Sequence, residues 1–293
     1  MTVFPTEKTL KKWISLVPTD GDLVFFKDLK QAEEFVSLDV PLFTRFEAWD
    51  QGADLLGLNQ RSWYGYSMGK AAACTKFPSG LIESLDAKTQ LKIFRYQQKI
   101  KVPTILEITP ELEKLDFLKF ADRLWITTHK WNKAPTSTKL KILNAYYQQN
   151  PRIEKYKSLQ PHSQEAQKIL KQYQLQKLLG TFAERSGPNC LALVARAISK
   201  QNDQVAATWL HWPPLRRFLE LQGFAEMRDT KPQSGDVLVF MRDGTGVHAC
   251  ITLDSRHIIE KPGQDFYEPY IVNTLKKSRT SWKNATLHIW RKK

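Results

Sequence analysis

Apolar positions in the first part of the chain come in short runs separated by polar punctuation. Residues 23–26, 104–108 and 124–128 carry the compact apolar pattern of strands, while residues 29–35 and 110–120 carry helical spacing. Residues 1–133 therefore predict an α/β module. Between residues 134 and 163 the chain turns polar and rich in Lys and Gln, with Pro135, Pro151 and Pro161 as punctuation. That stretch predicts a linker carrying one helix, over residues 138–147. From Ser163, a capping residue type, Ala166, Ile169, Leu170 and Tyr173 recur at helical spacing. A further helix follows Cys190, and strand patterns then occupy residues 236–240, 247–253, 257–260 and 285–290. Residues 164–293 thus predict a second domain of α+β class, with helices first and an antiparallel sheet afterwards. The run Gly21-Asp22-Leu23-Val24 echoes Gly235-Asp236-Val237-Leu238, but nothing after it matches, so no internal repeat is inferred.

Composition sharpens this picture. The 293 residues, 42% of them hydrophobic, suffice for two modest cores. No apolar run approaches the length of a membrane span, so no transmembrane segment is expected. Residues 1–16 hold Glu7, Lys8, Lys11 and Lys12 where a secretory leader needs an apolar centre. No Sec signal is visible, which leaves the cytoplasm or export by another route. The 44 Lys and Arg against 30 Asp and Glu give a formal charge of +14, a field that attracts polyanions. No zinc-finger, RNP-like or helix-turn-helix pattern accompanies it, so no specific nucleic-acid partner is predicted. Three cysteines cannot all pair, and no Cys-x-x-Cys or Cys/His spacing suits zinc. The expectation is a reduced chain without cofactor or metal and with at least one free thiol.

One of those thiols is placed for chemistry. Cys190 follows Ser186-Gly187-Pro188-Asn189 and precedes Leu191, Val194, Ala195 and Ile198, one apolar helix face. In a first turn, unpaired N–H groups and the positive helix end favour thiolate over thiol. Ser186 or Asn189 can cap that helix. Cys74, within Ala71-Ala72-Ala73-Cys74, reads as packing, and Cys250 lies inside an apolar strand. A cysteine nucleophile also needs an imidazole within reach. His248, expected partly exposed at the entry of its strand, is the candidate.

The order of Cys190, the strand Gly235-Asp236, His248 opening the next strand and Glu260 one strand later resembles the NlpC/P60 family of papain-like cysteine peptidases. The resemblance covers roughly residues 170–293. At the nucleophile this chain has Asn189-Cys190-Leu191 where the family has Asp-Cys-Ser/Thr, and Glu260 stands where the family commonly has His. The resemblance implies hydrolysis of a peptide or amide substrate, typically a cell-wall peptide, here held by the basic surface. Cys190 would attack, His248 would move the proton, and Glu260 would orient the imidazole. The Cys190 backbone N–H and the Asn189 side chain are the oxyanion candidates. A thiol acyltransferase on the same fold and a non-catalytic binding module are the alternatives. Strand parity favours Glu260 over His257 as the orienting residue: a three-residue turn at 254–256 pairs Cys250 with Glu260 and sets Glu260 on the His248 face. In residues 1–133, Trp49, Trp63, Tyr64 and Tyr66 could form a ligand surface, though core packing accounts for them more readily.

Overall fold

A computed structural model describes residues 1–35, 40–49, 57–199, 208–228 and 230–293. The side chain of Trp49, one of the aromatics singled out above, lies outside the described residues. The chain divides into two compact units, one of Thr6–Asn150 and the other of Met1–Pro5 with Pro151–Lys293. Both mix helices with antiparallel sheet, an α+β arrangement.

The Thr6–Asn150 unit holds two three-stranded sheets. Strands β1 (Asp22–Phe26), β2 (Leu42–Thr44) and β3 (Ala73–Phe77) take the order β1-β3-β2, and β4 (Ile105–Glu107), β5 (Leu118–Phe120) and β6 (Arg123–Trp125) the order β4-β6-β5. Every pairing is antiparallel, so the α/β character expected for residues 1–133 does not extend to parallel strands. Its helices are α1 (Glu7–Ile14), α2 (Leu29–Glu33), α3 (Arg45–Trp49), α4 (Leu58–Met68), α5 (Leu81–Ser84), α6 (Ala87–Ile100), α7 (Pro110–Glu113), α8 (Thr128–Lys133) and α9 (Thr136–Gln148). The free edge of β1 is closed from α6: the buried Gln97 amide accepts from Phe25 N–H and donates to Phe25 C=O, both at 2.9 Å. An unpaired buried strand edge would otherwise carry a large desolvation cost.

Two expectations for this unit change. The helix expected over residues 110–120 stops at Glu113, because Leu118 and Phe120 alternate about Lys119 and pair with β6 across a tight turn in which Ala121 has φ +52°. The segment 134–163 is not a linker. Residues 136–148 of it are α9, whose Leu143 and Tyr147 are fully buried and whose Tyr147 ring meets Trp13 of α1 at 5.9 Å. Polar surface positions masked that apolar face, so the division falls at residues 150 and 151 instead of 133 and 163. Trp63 and Tyr64 are core residues, with Trp63 against Tyr146 at 4.7 Å.

The second unit is built on one six-stranded antiparallel sheet of order β11-β10-β9-β8-β12-β7. Its strands are β7 (Phe224–Met227), β8 (Val237–Arg242), β9 (Thr245–Thr252), β10 (His257–Glu260), β11 (Ile271–Thr274) and β12 (Thr286–Lys292). Helices α10 (Gln164–Gln172), α11 (Cys190–Ile198) and α12 (Trp212–Leu221) belong to a core with Val237, Val239, Ala249, Ile251 and Leu253. The alternate residues Leu238, Phe240, Cys250 and Ile258 form a second core with Leu275 and Trp282, at and just beyond α13 (Leu275–Ser281). This split is the period-2 consequence of a sheet covered on both faces. Met1–Pro5 completes the unit, with Val3 N–H donating to Tyr156 C=O at 3.1 Å. Among the described residues, no helix is long and apolar enough to cross a membrane.

Candidate active site

Cys190 is delivered by a turn that its local sequence dictates. Gly187 adopts φ +118°, a conformation L side chains rarely reach, and Asn189 is extended at φ −117° and ψ −174°. The Asn189 side chain caps α11, its Oδ1 accepting from Ala192 N–H at 2.9 Å. Its Nδ2 donates to Leu210 C=O at 2.8 Å, so the amide expected as an oxyanion donor is already committed to structure. Ser186, the other expected cap, is buried, and its hydroxyl has no hydrogen-bond partner among the described residues. The Cys190 N–H, at the first helical position, has no intrahelical acceptor. Eight of the nine α11 residues are buried, as an almost entirely apolar helix must be.

His248 lies within β9 and is fully buried, where a strand-entry position had suggested partial exposure. The strand begins three residues earlier because Asp243 and Gly244, at φ +49° and +73°, make a two-residue hairpin turn of the kind that requires positive φ twice. A bulge follows: Phe240 faces His248, yet Met241 faces Gly246. Phe240 and Trp282 then flank the imidazole, the latter nearly parallel at 4.9 Å between centroids and 14°. This fixes the ring plane.

The β9–β10 register, Thr252 with Ile258 and Ile251 with Ile259, places Glu260 on the His248 face. Glu260 Oε2 lies 2.9 Å from His248 Nε2 and accepts from Ser278 Oγ at 3.0 Å, while its Oε1 accepts from Asn273 Nδ2 at 2.7 Å. Burial pushes this carboxyl towards its neutral form, but the three donors and the imidazolium charge outweigh it and hold the pKa below the ordinary value. His257 turns elsewhere, its Nδ1 3.0 Å from both Asp254 oxygens.

With Nε2 occupied by Glu260, Nδ1 is the ring nitrogen left for Cys190. The β9–β10 pairing ends at Ile251 and Ile259, next to the position of Glu260. Cys190 belongs to the α10–α12 core layer, whereas the His248 ring lies against Phe240 and Trp282 on the other side. Nδ1 has no hydrogen bond of ordinary geometry among the described residues, so the coupling rests on charge more than on an aligned N–H···S bond. Burial raises the thiol pKa, but His248, the Ala249 N–H and the charge of Lys261 together bring it below the usual thiol value. Burial likewise disfavours the imidazolium, yet the Cys190 thiolate and Glu260 carry His248 up to about 10. The lowered thiol and the raised imidazole both favour the thiolate–imidazolium form of the pair. Burial alone pushes Cys74 up to about 12 and, with nearby negative charge, Cys250 well above its ordinary value.

Sequence reasoning missed four neighbours. Asn273 and Ser278 hold Glu260, Trp282 stacks on His248, and Lys261 sits wholly buried with its ammonium donating to Gly263 C=O at 3.0 Å and Asp265 C=O at 2.6 Å. Burial lowers the Lys261 pKa, opposed by Glu268, Asp265 and the Cys190 thiolate. Only Lys261 had a legible signal, a charge directly after a strand that ends in a carboxylate.

Among the described residues, no group of His, Cys, Asp and Glu is arranged to hold a metal ion. Comparison with protein-family models, with curated proteins and with solved structures finds no match to this chain.

Proposed function

We propose that the unit of residues 151–293 is a papain-like cysteine hydrolase of the NlpC/P60 kind, cleaving an amide bond through Cys190, His248 and Glu260. The observation that supports this reading is the buried His248–Glu260 hydrogen bond together with the mutual influence of Cys190 and His248, which lowers the thiol pKa and raises the imidazole pKa. Three unlike side chains from three elements have no packing reason to converge in that order.

In the first half-reaction the Cys190 thiolate attacks the amide carbonyl carbon, and the carbonyl oxygen takes the negative charge facing the Cys190 N–H. Collapse breaks the C–N bond, His248 gives its Nδ1 proton to the leaving amine, and a thioester remains on Cys190. Neutral His248 then takes a proton from water as the water attacks the thioester, releasing the acid and restoring thiolate and imidazolium. Glu260 stays ionised throughout and stabilises the cation.

A second reading has one observation in its favour. His248 is fully buried and Cys190 is 5% exposed, and a site that limits bulk water suits passing the acyl group to a bound amine or alcohol. The acyl-thioester is common to both readings. Incubation with a panel of peptide p-nitroanilides, followed by intact-mass detection, tests for it: an acyl adduct on the wild-type chain that is absent from Cys190→Ala supports the proposal. An adduct that persists in Cys190→Ala would overturn it. Decay of the adduct in water, compared with decay in added amine, separates hydrolysis from transfer.

A further inference from the structure

Away from the triad, the turn between β9 and β10 and the outer side of α13 enclose a groove of about 770 Å³. Four cationic side chains line it: Arg256 from the turn, Lys276 and Arg279 from α13, and Lys283 just beyond. Ser255 and Thr280 add hydroxyls, and among the described residues no carboxylate lines the groove. Several exposed cations elsewhere take acidic partners, as in Lys11 with Glu7, Lys92 with Glu34 and Arg216 with Glu220. None of the four groove cations is ion-paired with a carboxylate of the described residues. Four like charges around one concavity repel each other, and an anion seated among them relieves that repulsion.

We propose that this groove binds a small, multiply phosphorylated anion. Two of its cations are arginines, whose planar forks match the tetrahedral oxygens of phosphate bidentately. The volume lies within the range of small-molecule sites and exceeds what a single inorganic ion fills, so the fitting ligand carries several anionic groups. The walls are held before any ligand arrives. Leu275 N–H donates to Arg256 C=O at 2.9 Å, tying the turn to the start of α13, and Thr274 Oγ1 caps that helix by accepting from Lys277 N–H at 3.1 Å. A rigid basic groove of this size favours a compact soluble ligand over the plane of a bilayer.

The test is calorimetric titration of the full chain with sodium tripolyphosphate at physiological salt. The expected result is one saturable site whose affinity falls at least about tenfold in Arg279→Gln/Lys283→Gln. The charge-matched control Lys168→Gln/Lys171→Gln, on exposed positions of α10, should stay within about twofold of wild type. Tricarballylate should bind at least about tenfold more weakly, because it brings fewer negative charges than tripolyphosphate into the basic groove. Should the α13 variant fail to show native far-UV circular dichroism, Arg256→Gln in the turn is expected to give the loss instead. Cys190→Ala should bind as wild type does, which keeps the outcome independent of the triad. Equal losses in the two double variants would mean that only the diffuse +14 field acts, and would overturn the site. So would the absence of saturable binding, or sedimentation with phosphoinositide-containing phosphatidylcholine vesicles without tripolyphosphate binding.

Discussion

At the residue scale, the chemistry rests on how Glu260 is held. Its three donors come from β9, β11 and α13, so the carboxylate is kept ionised in the core by groups up to 18 positions away in sequence. Glu260→Gln keeps the shape but removes the charge that stabilises imidazolium. The expected outcome is a folded protein in which alkylation of Cys190 at neutral pH slows about tenfold, equivalent to roughly 1.4 kcal/mol of lost charge stabilisation. His257→Ala, which loses only contacts to Asp254 in the turn, should change that rate by less than about twofold. Matched alkylation kinetics check both, and the reverse ranking would remove Glu260 from the site. The place of Cys190 at a helix start and the shared face of His248 and Glu260 were legible, because a cap marks the one and strand parity can be counted for the other. Asn273, Ser278 and Trp282 were not, since nothing local marks a residue whose role is to meet a side chain from another element. The burial of His248 was also hidden: Asp243-Gly244 moved the start of β9, and Trp282 covers the ring from outside the strand.

At the element scale, α11 depends on its cap. Asn189 joins two segments, capping the helix through Oδ1 and tethering residue 210 through Nδ2. Asn189→Ala removes the cap and leaves the Leu210 carbonyl without its donor, so a loss of about 1–2 kcal/mol is expected. Denaturant unfolding followed by circular dichroism reads it as a lower midpoint with unchanged slope. A midpoint equal to wild type would mean that the cap contributes nothing. Elements with clean periodicity were legible: β10 occupies the expected residues 257–260, and α10 begins directly after Ser163. The short strands β7 and β11 gave no signal, because four residues buried by their neighbours carry too little pattern of their own. The stretch 110–120 misled for a related reason, since a helix start with Pro110 at its first position runs within five residues into an alternating strand.

At the scale of the whole molecule, the chain crosses between its two units at residues 5–6 and again at 150–151. Limited proteolysis between residues 134 and 163 should therefore cut near residues 149–153 and spare Thr136–Gln148, because α9 buries Ile142, Leu143 and Tyr147. Mass mapping of early fragments checks this, and first cuts inside α9 would contradict the packing. Composition foretold two cores, but not that the first five residues complete the second unit. That depends on the pairing of Thr2 with Lys157, a contact across 155 positions that no periodicity reports.

The central claim is that Cys190 is a thiolate held by His248, and the pH dependence of its alkylation tests it most directly. Labelling with iodoacetamide from pH 5 to pH 10, quantified by peptide mapping, follows the thiolate fraction of each cysteine. Because the folded pKa of Cys190 is lowered, its thiolate persists as pH falls through the range where an ordinary thiol, with a pKa of about 8.5, becomes protonated. The predicted result is a Cys190 labelling profile whose midpoint lies below that of an ordinary thiol and moves upward in His248→Ala, with rates above those of Cys74 and Cys250 throughout. A wild-type rate that falls about tenfold per pH unit below pH 8.5, or earlier labelling of Cys74 or Cys250, would contradict the assignment.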